Sequence, residues 1–162
     1  MTELLHQPGF LGTSANWAAD VTLLASALVA LLLTIGVVLA VRGQYRAHRW
    51  FQTSAATINA ILVLWLMVLP FRDFVAPASN PAGLPLSAIA TTRIHAAVGT
   101  AALVFGLYVT LAANKLMPRF LRFNNYKAFM RVAYALYMLA SLIGLFVYIT
   151  WFVGNPSPPI YQ

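Results

Sequence analysis

The chain contains no cysteine. Thiol nucleophiles, disulfides and cysteine-held zinc or iron–sulfur centres are therefore excluded. Acid is nearly absent as well: Glu3, Asp20 and Asp73 are the three carboxylate side chains. Charged residues of both signs make up 8% of the chain, whereas soluble domains carry about 25%. The charge that exists is segregated. No Lys, Arg, Asp or Glu falls between Val21 and Val41, between Trp50 and Phe71, between Ile94 and Asn114, or from Val132 to the end. Soluble helices need a polar face, and these stretches have too few polar residues to supply one. They also lack the mid-span carboxylate, Lys or Arg on which proton pumps and ion-coupled carriers depend. Without positioned acids, bases or nucleophiles, no enzyme is expected. No basic residue precedes Arg42, which speaks against a cleaved signal peptide with its basic start.

What the chain does have is hydrophobic length. Its composition is 61% hydrophobic, and the first three charge-free stretches run 21 or 22 residues. About 20 residues of helix cross a bilayer core. We read four spans, at about 18–41, 50–71, 92–114 and 131–153, in one domain covering 1–162. The fold class is all-α, an integral membrane four-helix bundle. Arg42, Arg46 and Arg49 follow the first span, and Lys115, Arg119, Arg122, Lys127 and Arg131 follow the third. Eight of the ten basic residues thus share one side, and all three acids lie on the other. The positive-inside rule places the basic connections in the cytoplasm and both termini outside. A bacterial cytoplasmic membrane is the expected location. The net charge of +7 then reflects topology and contact with anionic lipid, and nucleic acid is not an expected partner.

Polar residues within the spans suggest how the helices meet. Thr22, Ser26, Ala30 and Thr34 recur every four residues, a small and weakly polar stripe suited to close helix contact. Tyr134, Tyr137, Ser141, Gly144, Tyr148 and Trp151 form a seam on the last span at steps of three and four. Gln52 and Asn59 share one face of the second span, with Asn59 near the bilayer midplane. An amide at that depth needs a hydrogen bond, from a neighbouring helix or from a ligand such as a quinone. Gly99, Ala102, Gly106 and Ala113 follow His95 down one helix face, which predicts packing against another helix. Asp20 and Arg93 lie near the same surface and are expected to pair. The segment "NKLMPRFLRFNNYKAFMR" alternates basic and bulky apolar residues, as expected of an interfacial stretch broken at Pro118.

The histidines decide which cofactors are conceivable. Transmembrane b-type haem uses two facing His ligands at one depth. His48 sits at the inner end of the second span and His95 at the outer end of the third, about 30 Å apart across the bilayer core. They cannot share one haem. No cofactor and no metal site form the leading expectation. The open alternatives are a haem or chlorin on His95 with Gly99 one turn away, and copper among His6, His95 and Met67. The candidate cofactor-binding residues are His95, His48 and Asn59. His48, between Arg46 and Arg49, is expected to be a hydrogen-bonding residue that ties the first inner loop to the second, near Asn124, Asn125 and Tyr126.

Three segments, "RGQYRAHRW", "TTRIHAAVG" and "NYKAFMRVAYALYMLASLIGLFVYITWF", resemble a bacterial family of small four-span membrane proteins of unknown function. Some of its members are associated with assembly of haem–copper (caa-type) cytochrome oxidases. The resemblance covers about 17–153 and carries over His48 with Arg49, His95 and the Tyr148-containing last span. Family members tend to have a further His where this chain has "LPFRDFV", and a His-Arg pair where it has "NNYKAFMR". Those replacements suit a structural subunit. The function expected is a non-catalytic membrane accessory subunit or assembly factor of a respiratory or photosynthetic electron-transfer complex. Its partners would be other membrane subunits and lipids. The alternative is a redox or pigment-binding protein with haem or chlorin on His95.

Overall fold

The computed structural model describes residues 7–77, 79 and 84–154. His6, named above as a possible copper ligand, lies outside the described residues. Four long helices form an up-down bundle: α1 (Trp17–Val41), α2 (Tyr45–Leu62), α3 (Leu86–Ala113) and α4 (Tyr126–Tyr148). Continuous extensions bring α2 to Val75 and α4 to Val153. All four rods are long and apolar enough to cross a membrane. The chain is a multi-pass membrane protein. Large side chains such as Leu28, Leu31, Leu64, Val104 and Leu142 stand on its outer faces. Bilayer tails cover such faces at no cost, whereas water would not.

Local chemistry sets the helix ends. Asn16 caps α1 by accepting the Ala19 N–H at 2.9 Å. At the other end Gly43 takes φ 74°. The Gly43 N–H bonds to Ala40 O at 3.1 Å and the Gln44 N–H to Leu39 O at 2.9 Å, a paired closure that satisfies the last carbonyls. The end of α3 repeats this turn. Lys115 N–H bonds to Ala112 O at 3.1 Å and Leu116 N–H to Leu111 O at 2.9 Å. Here Lys115 holds the left-handed position, at φ 63°. Pro70 has no N–H, and its ring would press on the carbonyl four residues back in an ordinary α turn. Wider π turns at Val63–Met67 and Phe71–Val75 flank it and take up the mismatch.

The α3 helix starts at Leu86 and runs through Arg93 without a break. His95 is therefore its tenth residue, about 14 Å from the start at 1.5 Å per residue. It lies inside the rod rather than at its head.

The main packing joins α1 to α2 and α3 to α4, and contacts of α1 with α4 and α2 with α3 close the ring. The stripe on α1 meets the tyrosine seam of α4. Tyr137 Oη donates to Ser26 O at 3.1 Å. The Thr34 hydroxyl donates to Ala30 O at 2.8 Å, so Tyr134 is the donor in the 3.1 Å contact between Tyr134 Oη and Thr34 Oγ1. One core cluster, around Val75, Leu84, Ile89, Tyr148, Trp151 and Phe152, fills the end of the bundle where α1 begins. A second, around Val29, Ala55 and Tyr137, fills the middle.

Candidate functional site

The densest polar network lies at the α1 start. Residues 7–16 double back as a strap. The Gly9 N–H bonds to Ala15 O at 2.9 Å and the Trp17 N–H to Gln7 O at 2.8 Å. The strap is tied to α4 by Ser14, whose Oγ donates to Phe152 O at 2.7 Å. Beneath it sits Asp20, fully buried. Its Oδ2 accepts the Phe10 N–H at 2.6 Å and the Leu11 N–H at 2.8 Å. Its Oδ1 accepts the Tyr148 hydroxyl at 2.6 Å. Since Tyr148 has spent its proton there, Thr13 Oγ1 donates to Tyr148 Oη in their 2.8 Å contact. The network runs from the strap through Tyr148 to a carboxylate.

The expected pairing of Asp20 with Arg93 is not what forms. Arg93 donates to Val75 O at 3.1 Å. Among the described residues the one ion pair joins Arg72 and Asp73, neighbours at the end of α2. Backbone N–H groups satisfy Asp20 with fixed geometry and no second desolvated charge, an arrangement that charge counting does not reveal. Nearby, Trp151 Nε1 donates to Thr92 Oγ1 at 3.0 Å and joins α4 to α3.

His48 is buried, and its Nδ1 lies 2.7 Å from Gly36 O. One turn further along α2, Gln52 Nε2 donates to Leu33 O at 3.0 Å. The two side chains grip successive turns of α1 through carbonyl lone pairs that the helix leaves unused. His48 thus ties α2 to α1, not one inner loop to the other as expected. The link between the two basic connections is made by Arg49, whose Nε donates to Asn114 Oδ1 at 2.9 Å. His48 and His95 do not meet. His95 and Asn114 are 19 residues apart on the α3 side, about 28 Å of helix.

His95 Nδ1 lies 3.1 Å from Ala140 O on α4. Its ring rests on Gly144, where an added Cβ would stand 2.9 Å from the imidazole Cε1. The small residues below it behave differently from expectation. Ala102 is buried, but a Cβ added at Gly99 or Gly106 would meet nothing within 4 Å. Those glycines open space instead of admitting a neighbouring helix.

Asn59 lies near the middle of the α2 rod. Ala55 and Leu62, one turn to either side, are buried, and Asn59 itself is half-buried. Its amide has no hydrogen-bond partner among the described residues. The interhelical bond expected of it does not form among the described residues. The strap, Thr13 and Thr92 were not singled out from sequence at all, since nothing in their spacing marks them.

Comparison with protein families, with curated proteins and with solved structures finds no match. The likeness to the four-span family rests on the three quoted segments alone.

Proposed function

We propose that this chain is a non-catalytic accessory subunit or assembly factor of a larger bioenergetic membrane complex, respiratory or photosynthetic. It resides in a bacterial cytoplasmic membrane with both termini outside. The observation that carries this reading is Asn59. A mid-span amide without a partner among the described residues is costly in hydrocarbon, and a helix of another subunit relieves that cost. Nine other polar side chains give support from the other direction. Asp20, Thr13, Thr34, His48, Gln52, Thr92, Tyr134, Tyr137 and Tyr148 each hold one helix or strap to another. Their work is structural.

The test is purification of the tagged chain from native membranes in mild detergent, followed by native mass spectrometry. The chain is expected to run with subunits of an electron-transfer complex. Asn59→Leu is expected to weaken that association while leaving the melting of the isolated bundle unchanged. A monomer with no companion subunit overturns the proposal. For orientation, a reporter fused after Gln162 should read as outside and one inserted at Asn124 as cytoplasmic. The reverse pattern overturns the side assignment.

A further inference from the structure

We propose that His95 Nε2 is the single axial ligand for the metal of a tetrapyrrole bound against α3 and α4. This is independent of the subunit assignment, which rests on Asn59.

The position of the proton on the ring follows from its hydrogen bond. A carbonyl oxygen only accepts, so the 3.1 Å contact with Ala140 O requires the proton on Nδ1. The neutral ring then carries its lone pair on Nε2. That nitrogen has no partner among the described residues. It is also not sealed away, because no side-chain nitrogen or oxygen among the described residues is both enclosed and unpaired. That lone pair is therefore open at the surface of the bundle, and no described residue takes it up.

A structural histidine is satisfied by one interhelical bond, and Nδ1 already makes it. The same bond is what a metal-binding imidazole uses to set its tautomer and orientation. Gly144 adds a second restraint, since the ring lies where a side chain at that position would be. The ring is held on two sides while its basic nitrogen is left free.

The donor set then narrows the metal. Among the described residues no three His, Asp or Glu side chains converge on one point. A bare ion would find one nitrogen and little else, far short of the three or four protein ligands of ordinary metal sites. A metal that brings four in-plane nitrogens of its own needs one axial donor, and a neutral imidazole is the usual one. The ligand class is therefore a five-coordinate metallotetrapyrrole, either a haem or a chlorin. Its apolar ring belongs in the bilayer. A Cβ added at Gly99, one turn along α3 from His95, would meet nothing within 4 Å, so no neighbouring side chain crowds that point.

The experiment titrates zinc protoporphyrin IX, which takes one axial ligand, into the purified full chain in lipid nanodiscs. The expected result is a saturable Soret shift at one porphyrin per chain. His95→Gln keeps a donor for Ala140 O but ligates metals poorly, so it should fold normally and lose more than about tenfold in affinity. Gly99→Leu fills open space, so it should melt like the parent and bind more weakly. Free imidazole should restore the shift in His95→Gly. Parallel titrations with haemin and with a magnesium chlorin tell which ring is preferred, and tight binding of either supports the site. Three outcomes overturn it: no saturable shift in the parent chain, a shift that survives His95→Gln, or a loss on His48→Gln equal to that on His95→Gln.

Discussion

Replacing Asp20 separates two roles that its carboxylate combines, filling hydrogen-bonding capacity and carrying charge. In Asp20→Ala the N–H groups of Phe10 and Leu11 and the hydroxyl of Tyr148 lose their acceptor. Hydrogen bonds to a charged group contribute about 1.5–3 kcal/mol each. The two strap bonds alone give about 3 kcal/mol at the lower figure, or about a hundredfold in the opening equilibrium of the strap. The bundle need not unfold to relieve the orphaned donors, because the strap can lift and present them to water. The loss should therefore be local. Hydrogen exchange of the Phe10 and Leu11 amides, in detergent or nanodiscs, is expected to accelerate about a hundredfold, while amides in the middle of α1 and α4 stay protected. Asp20→Asn should behave differently. Its amide oxygen can face Phe10 and Leu11 and its NH2 can donate to Tyr148, which then donates to Thr13. The bonds survive and the charge goes, so the acceleration should be about tenfold or less. Unchanged exchange in Asp20→Ala, or equal damage from Asn and Ala, refutes the assignment of Asp20 as the latch of the strap.

Further substitutions probe other joints. Gly9→Ala should also free the strap, since the new Cβ would stand 2.7 Å from Ala15 O and press on Asp20 Oδ2; faster limited proteolysis within 7–16 is the readout. Lys115→Gly should stabilise the protein by about 1 kcal/mol in thermal melts, because a non-glycine residue at φ 63° carries left-handed strain; a fall in melting temperature would contradict this. His48→Gln keeps a donor for Gly36 O and should melt near the parent, whereas His48→Leu should lose about 1 kcal/mol. If His48→Gln instead releases a bound cofactor from a folded bundle, His48 is a ligand and its structural role is wrong.

Four membrane helices were legible in the sequence because the bilayer enforces a simple rule. Charge cannot be hidden in hydrocarbon, so charge-free stretches, 21 or 22 residues long for the first three and running from Val132 to the end for the fourth, mark the spans wherever the partners lie. The tyrosine seam was legible too, because helical periodicity places Tyr134, Tyr137 and Tyr148 on one side before any neighbour is known. The true start of α3 was not. A charged residue, Arg93, ends an apolar run, but it does not end a helix, whose backbone bonds are indifferent to the side chain. That difference moved His95 from the head of a span to its interior. The partners of Asp20 and His48 were beyond reach for a related reason. Asp20 is held by the N–H groups of Phe10 and Leu11, and His48 donates to the carbonyl of Gly36. Every residue but proline carries the same backbone donor and acceptor, so no letter distinguishes the ones that will be used. Matching side chain to side chain paired Asp20 with Arg93. Only the path of the strap over α1 and α4, and the register of α2 against α1, decided which anonymous backbone atoms these two side chains meet.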